Sequence, residues 1–60
     1  MCEFKVFVGD RLVFEDVVYA REEGGRVILR DVLGERKELS GCRIVEVDVQ
    51  STRLVLAEER

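Results

Sequence analysis

The sequence has no histidine, proline, tryptophan or asparagine, and only two cysteines. Without histidine the commonest general base and metal ligand is missing. The hydroxyls of Tyr19, Ser40, Ser51 and Thr52 therefore have no base with which to build a nucleophilic triad, and an enzyme is not expected. No apolar run approaches the roughly 20 residues of a membrane-spanning helix. The N-terminus also lacks the basic region and continuous apolar run of a signal peptide, so a cytoplasmic location without membrane contact is expected. In that compartment thiols stay reduced, which leaves metal binding, redox chemistry or core packing as roles for Cys2 and Cys42. The 60 residues admit a single small domain, 1–60. A chain this short buries only about 60% of its unfolded surface. Its core needs help from a disulfide, a metal or a second subunit, and a homodimer is the favoured expectation.

Acids outnumber bases, 13 to 10, for a net charge of −3. That sign is wrong for general neutralisation of phosphates, so nucleic acid is not an expected partner. The charge is uneven, at −2 over residues 1–20, +1 over 21–43 and −2 over 44–60. Arg21, Arg26, Arg30, Arg36, Lys37 and Arg43 could form a basic face on a small barrel, a fold that binds single-stranded RNA when aromatic side chains stack the bases. Here Phe4, Phe7, Phe14 and Tyr19 all fall in the first third of the chain, before that segment, and Glu22, Glu23, Asp31, Glu35 and Glu38 cancel much of its charge. An ordinary solvated surface is the simpler reading.

What the sequence has in quantity is valine, eleven residues, with isoleucine, phenylalanine and tyrosine beside it and no long helical face. Five glycines punctuate these runs. Residues 2–8 alternate, with Cys2, Phe4, Val6 and Val8 on one face. Gly9-Asp10 turns the chain back into residues 11–14, Glu15-Asp16 predicts a bulge or corner, and residues 17–22 resume the strand. Gly24-Gly25 is the strongest turn signal and leads into residues 26–30. A loop at 32–35, a short strand at 36–39, a turn at Ser40-Gly41 and a long strand at 42–49 follow. In the long strand Val45, Val47 and Val49 alternate with Glu46 and Asp48. Gln50-Ser51-Thr52 turns into a last strand over 53–58, with Leu54 and Leu56 against Val55 and Ala57. About six short antiparallel strands in so few residues predict an all-β fold, a small SH3-like barrel.

Cys2 carries the most chemistry. A metal bound to its sulfur and its own backbone nitrogen closes a five-membered chelate ring. A two-fold dimer with both termini on its axis would supply two nitrogens and two sulfurs. Four such ligands in a plane suit Ni(II) or Cu(II), whereas tetrahedral zinc would call for histidine or more cysteine than this chain has. The plainer reading makes Cys2 the first inward residue of strand one. Cys42 has no partner at CxxC spacing and reads as a small residue filling a strand-end pocket. The pairs Glu15-Asp16 and Glu22-Glu23 flank turns without the alternating spacing of a calcium loop, and read as solvated acids.

The opening Met1-Cys2-Glu3-Phe4-Lys5-Val6, the segment EDVVYAREEGGRVILRDVLGE at 15–35 and the segment IVEVDVQSTRLVL at 44–56 together resemble the CooT-like family of small nickel-binding proteins, over nearly the whole chain. The resemblance implies a small barrel, a homodimer that binds Ni(II) through the N-terminal cysteine, and a link to nickel supply for carbon monoxide dehydrogenase maturation. Cys2 matches the nickel ligand by position, and Cys42 has no counterpart. A nickel carrier or store that serves a metalloenzyme maturation partner is thus the first expectation. The wider group is also labelled predicted RNA-binding, which makes an RNA-binding barrel on the bases between 21 and 43 the alternative. A structural or regulatory dimer with no metal role is a third.

Overall fold

The computed structural model describes residues 2–59. They form β1 (Phe4–Val8), β2 (Arg11–Glu23), β3 (Arg26–Asp31), β4 (Arg36–Ser40), β5 (Cys42–Asp48) and β6 (Arg53–Glu58), with no helix among the described residues. The all-β expectation is met. Gly24 and Gly25 both adopt positive φ, +58° and +77°, the backbone that a two-residue hairpin turn requires at its two central positions.

The strands make one sheet in the order β4-β3-β2-β1-β6-β5. Its two edge strands, β4 and β5, are joined by Gly41 alone, so the sheet has to curl until its edges nearly meet. β3 packs against β5, and Gly41 ties the corner. Its N–H donates to the Gly25 carbonyl at 2.8 Å, and its carbonyl accepts from the Glu59 N–H at 2.6 Å. No ladder joins β4 to β5, so the sheet curls without closing, and the small SH3-like barrel that was expected is met only in part.

Three further features depart from the local pattern. β1 and β6 run parallel, from Lys5 opposite Arg53 to Val8 opposite Leu56, where antiparallel pairing was expected throughout. The hairpin with β2 takes one edge of β1, and β6 reaches the other edge from fifty residues away, so no turn fixes its direction. Residues 11–14 and 17–22 belong to one strand, β2, of 13 residues. Straight, it would span about 40 Å, yet the longest dimension of the molecule is 33 Å. β2 therefore bends, and Asp16, at φ +58°, is the bulge expected there. Its extra residue falls between the pairs Phe4–Val17 and Val6–Phe14. Finally, β1 starts at Phe4, the first position paired with β2, and Cys2 and Glu3 lie outside it.

The core consists of Val6, Val17, Val27, Leu29, Cys42, Leu54 and Leu56, with Phe4, Val8, Val13, Phe14, Leu39 and Ile44 packed around it. Val45, Val47 and Val49 are all exposed. A register shift between Ile44 and Glu46 breaks the alternation of β5, and Val49 already lies in the following turn. Val47 sits opposite buried Leu54, hence on the core side of the sheet, yet it remains 57% exposed. The core is uncovered along this seam.

Candidate functional site

Cys2 is exposed, ahead of the first strand, whereas Cys42 is only 4% exposed and belongs to the core; both are free thiols. The reading of Cys2 as a core-filling strand residue is thus not what the fold presents. Among the described residues no three of the cysteine, aspartate and glutamate side chains gather as a metal cage. One chain brings to this end of the molecule the Cys2 thiol and the backbone beside it.

Phe4, two residues on, borders an apolar groove of about 260 Å³ between β2 and β5, with Val18, Ile44 and Val47 among its other walls. The groove is the seam left where the sheet fails to close. β5 is an edge strand, so its outer backbone groups face this gap.

The paired acids have local structural work. Glu22 Oε1 accepts a hydrogen bond from the Ile44 N–H at 2.8 Å. Glu23 pairs with Arg21 at 2.9 Å, and Asp16 forms the bulge of β2.

The six bases expected as one face are divided. Val27 and Leu29 are buried, so their neighbours Arg26, Ile28 and Arg30 point to the outer surface of β3. Register places Tyr19 and Arg21 of β2, and Arg36 of β4, on that same surface. Arg26 is engaged there by Glu38 at 2.8 Å. Lys37 is opposite Leu29 and so lies on the other face. Its Nζ stands 5.4 Å from the Phe14 ring centroid and donates to the Val13 carbonyl at 3.3 Å. Arg43, on β5, pairs with Glu59 at 3.1 Å.

Tyr19, set apart from the basic segment by its place in the chain, is in fact its direct neighbour. The Arg30 guanidinium lies 4.4 Å from the Tyr19 ring centroid. The Gly24-Gly25 turn held this signal, because counting outward from a two-residue turn pairs Glu23 with Arg26 and, four steps on, Tyr19 with Arg30. The adjacent Tyr19 hydroxyl and the Glu23 carboxylate raise Arg21 above the ordinary guanidinium value, so Arg21 stays charged.

Two comparisons bear on this arrangement. A protein from Methanocaldococcus jannaschii, described as uncharacterized protein MJ1551, is 30% identical over 56 residues, which are 93% of this chain and 96% of that one. The family model described as CO dehydrogenase accessory protein CooT matches residues 1–57, from the exposed cysteine segment to the last strand. With the match running through every strand of the sheet, the chain belongs to the CooT family of CO dehydrogenase accessory proteins.

Proposed function

We propose that this protein is a cytoplasmic nickel carrier or store that supports maturation of an enzyme of the carbon monoxide dehydrogenase type, holding Ni(II) between two copies of the chain through Cys2. The position of Cys2 carries the reading. It is exposed ahead of β1, clear of a core that already has its own cysteine in Cys42. Sulfur and backbone nitrogen of one residue form a five-membered chelate. Two chains complete a planar set of two nitrogens and two sulfurs, a geometry that Ni(II) favours. The family's role as CO dehydrogenase accessory proteins fits the delivery of cargo to an enzyme, with no reaction of its own.

The second copy has a reason to sit near Cys2. Phe4 borders the uncovered apolar groove, and Val45 and Val47 lie exposed on the adjoining edge strand. Covering that seam with a second chain removes apolar surface from water, the largest favourable term in association. It also brings the two N-termini towards one another, which the ligand count requires.

Titration of the reduced protein with Ni(II) tests this. One ion per dimer is expected, with thiolate-to-metal charge-transfer absorption, and with metal lost as the pH falls and the ligands take up protons. Cys2→Ser should abolish binding while Cys42→Ser leaves it nearly intact. Full nickel affinity in Cys2→Ser, or a well-folded monomer that binds nickel, would overturn the reading.

A further inference from the structure

On the outer surface of β2, β3 and β4, away from the core, Tyr19, Arg21, Ile28, Arg30 and Arg36 line a pocket of about 220 Å³. Arg30 and Arg36 are direct cross-strand partners, and like charges so placed repel one another. Neither has a carboxylate within 4.0 Å among the described residues, although Arg21, Arg26, Arg43 and Arg53 each do. The fold thus holds two guanidinium groups side by side, neither of them in an ion pair among the described residues, on a chain whose net charge is −3. Arg30 is also held in place, stacked over the Tyr19 ring at 4.4 Å.

We propose that this pocket is a binding site for a single phosphoryl dianion, either free phosphate or the terminal group of a small phosphate monoester. Charge favours that ligand over a carboxylate. Three guanidinium groups less the Glu23 carboxylate leave +2 at the pocket, which matches a phosphoryl group of about −1.5 to −2. One carboxylate would leave half of it unmet. The planar forks of adjacent arginines suit the several oxygens of such a group. Ile28 offers an apolar contact for the first carbons of an ester, and the pocket is smaller than the roughly 300 Å³ at which drug-sized sites begin.

The same surface argues against a polynucleotide. A strand of RNA needs a track of free cations with exposed ring faces. Arg26 is neutralised by Glu38, Arg43 is held by Glu59, and Lys37 lies on the other face. Arg30 already covers one face of Tyr19. The site has charge for one anion and no path to the next.

The test is a titration of the ¹⁵N-labelled full chain, followed by NMR, with inorganic phosphate, glycerol phosphate, acetate and a short oligonucleotide without terminal phosphate. Saturable shifts centred on the Arg30 and Arg36 side chains and the Tyr19 ring are expected with phosphate or its ester, and the tighter of the two identifies the source. Arg36→Glu should weaken binding about tenfold or more, the effect of losing a charge-assisted contact. Arg30→Lys, which keeps the charge and loses the fork, should also weaken it. Arg11→Glu makes the same change in net charge outside the pocket and should leave the affinity almost unchanged. Equal losses in Arg36→Glu and Arg11→Glu would overturn the site. So would acetate that binds as tightly as phosphate, or an oligonucleotide that binds more tightly than either.

Discussion

The Glu22 carboxylate accepts a hydrogen bond from the backbone N–H of Ile44 at 2.8 Å, across 22 residues of chain. Ile44 lies on β5, an edge strand with no neighbour in the ladder on that side, and Glu22 reaches it from the far end of β2. A side chain thereby does what a further strand would do in a closed barrel. It satisfies an edge donor and pins the curled sheet at one end of the seam, while the other end stays open as the apolar groove beside Phe4.

Removing this latch should loosen the seam without unfolding the sheet. Glu22→Ala is expected to cost about 1 kcal/mol, the net worth of one such hydrogen bond. Hydrogen exchange at the Ile44 amide should quicken more than at Leu56, its cross-strand partner. Unchanged exchange at Ile44 would show that the carboxylate contributes nothing there.

The two ends of the exposure scale give opposite expectations for leucine. Leu29 is fully buried, and Leu29→Ala should cost about 2–5 kcal/mol, enough to unfold most of a domain whose single core supplies no more than about 3–5 kcal/mol. Leu33, in the β3–β4 turn, is 88% exposed. Leu33→Ala should stay within about 0.5 kcal/mol of the parent. Urea denaturation of both variants decides this.

Cys42→Ser separates core packing from metal chemistry. Placing a hydroxyl in the apolar surroundings of Cys42 should cost about 1–3 kcal/mol, seen as a lower denaturation midpoint. Cys2→Ser, at an exposed position, should leave the midpoint of the metal-free protein unchanged.

Thr52 adopts φ +51° although it is β-branched, a conformation that costs about 1–3 kcal/mol for such a residue. Asparagine tolerates the left-handed region better. Thr52→Asn is therefore expected to stabilise the β5–β6 turn by about 1 kcal/mol, raising the melting temperature by about 4–8 °C for a domain of this size.

The same turn has a pH dependence. The Ser51 backbone N–H donates to Asp48 Oδ1 at 3.2 Å. That bond, with the Ser51 hydroxyl, the Gln50 N–H and Arg53, holds Asp48 below the ordinary aspartate value. In acid the folded protein then binds fewer protons at this site than the unfolded chain. The stabilisation is complete above the ordinary aspartate value of about 3.9 and is lost as the pH falls below it and through the lower folded value. The difference in melting temperature between the parent and Asp48→Asn should be constant at neutral pH and shrink as the pH falls below the ordinary aspartate value.

Composition and turn chemistry by themselves determined a good deal. Gly24 and Gly25, a pair able to take positive φ in succession, marked the β2–β3 hairpin and with it the register that sets Tyr19 opposite Arg30. The alternation of Leu54 and Leu56 with Val55 and Ala57 gave the inward face of β6, and the Glu15-Asp16 interruption gave the bulge. These features depend on neighbours a few residues apart, so local sequence encodes them. Cys2 stood out because its thiol lies beside the chain terminus, where sulfur and backbone nitrogen of one residue can chelate a metal.

Only the tertiary structure decided the rest. The parallel contact of β1 with β6 joins the two ends of the chain, and no turn residue specifies it. The register shift in β5 left Val47 on the core side but uncovered, which strict alternation along the strand does not reveal. Which bases share a face depended on strand order and register together, and these separated Lys37 and Arg43 from the Arg21, Arg30 and Arg36 pocket. The exposure of Cys2 followed from where pairing begins, at Phe4 opposite Val17. Turns and periodicity are short-range properties. Pairing between distant strands, and the seam left when a six-stranded sheet curls without closing, are set by the packing of the whole chain around one small core.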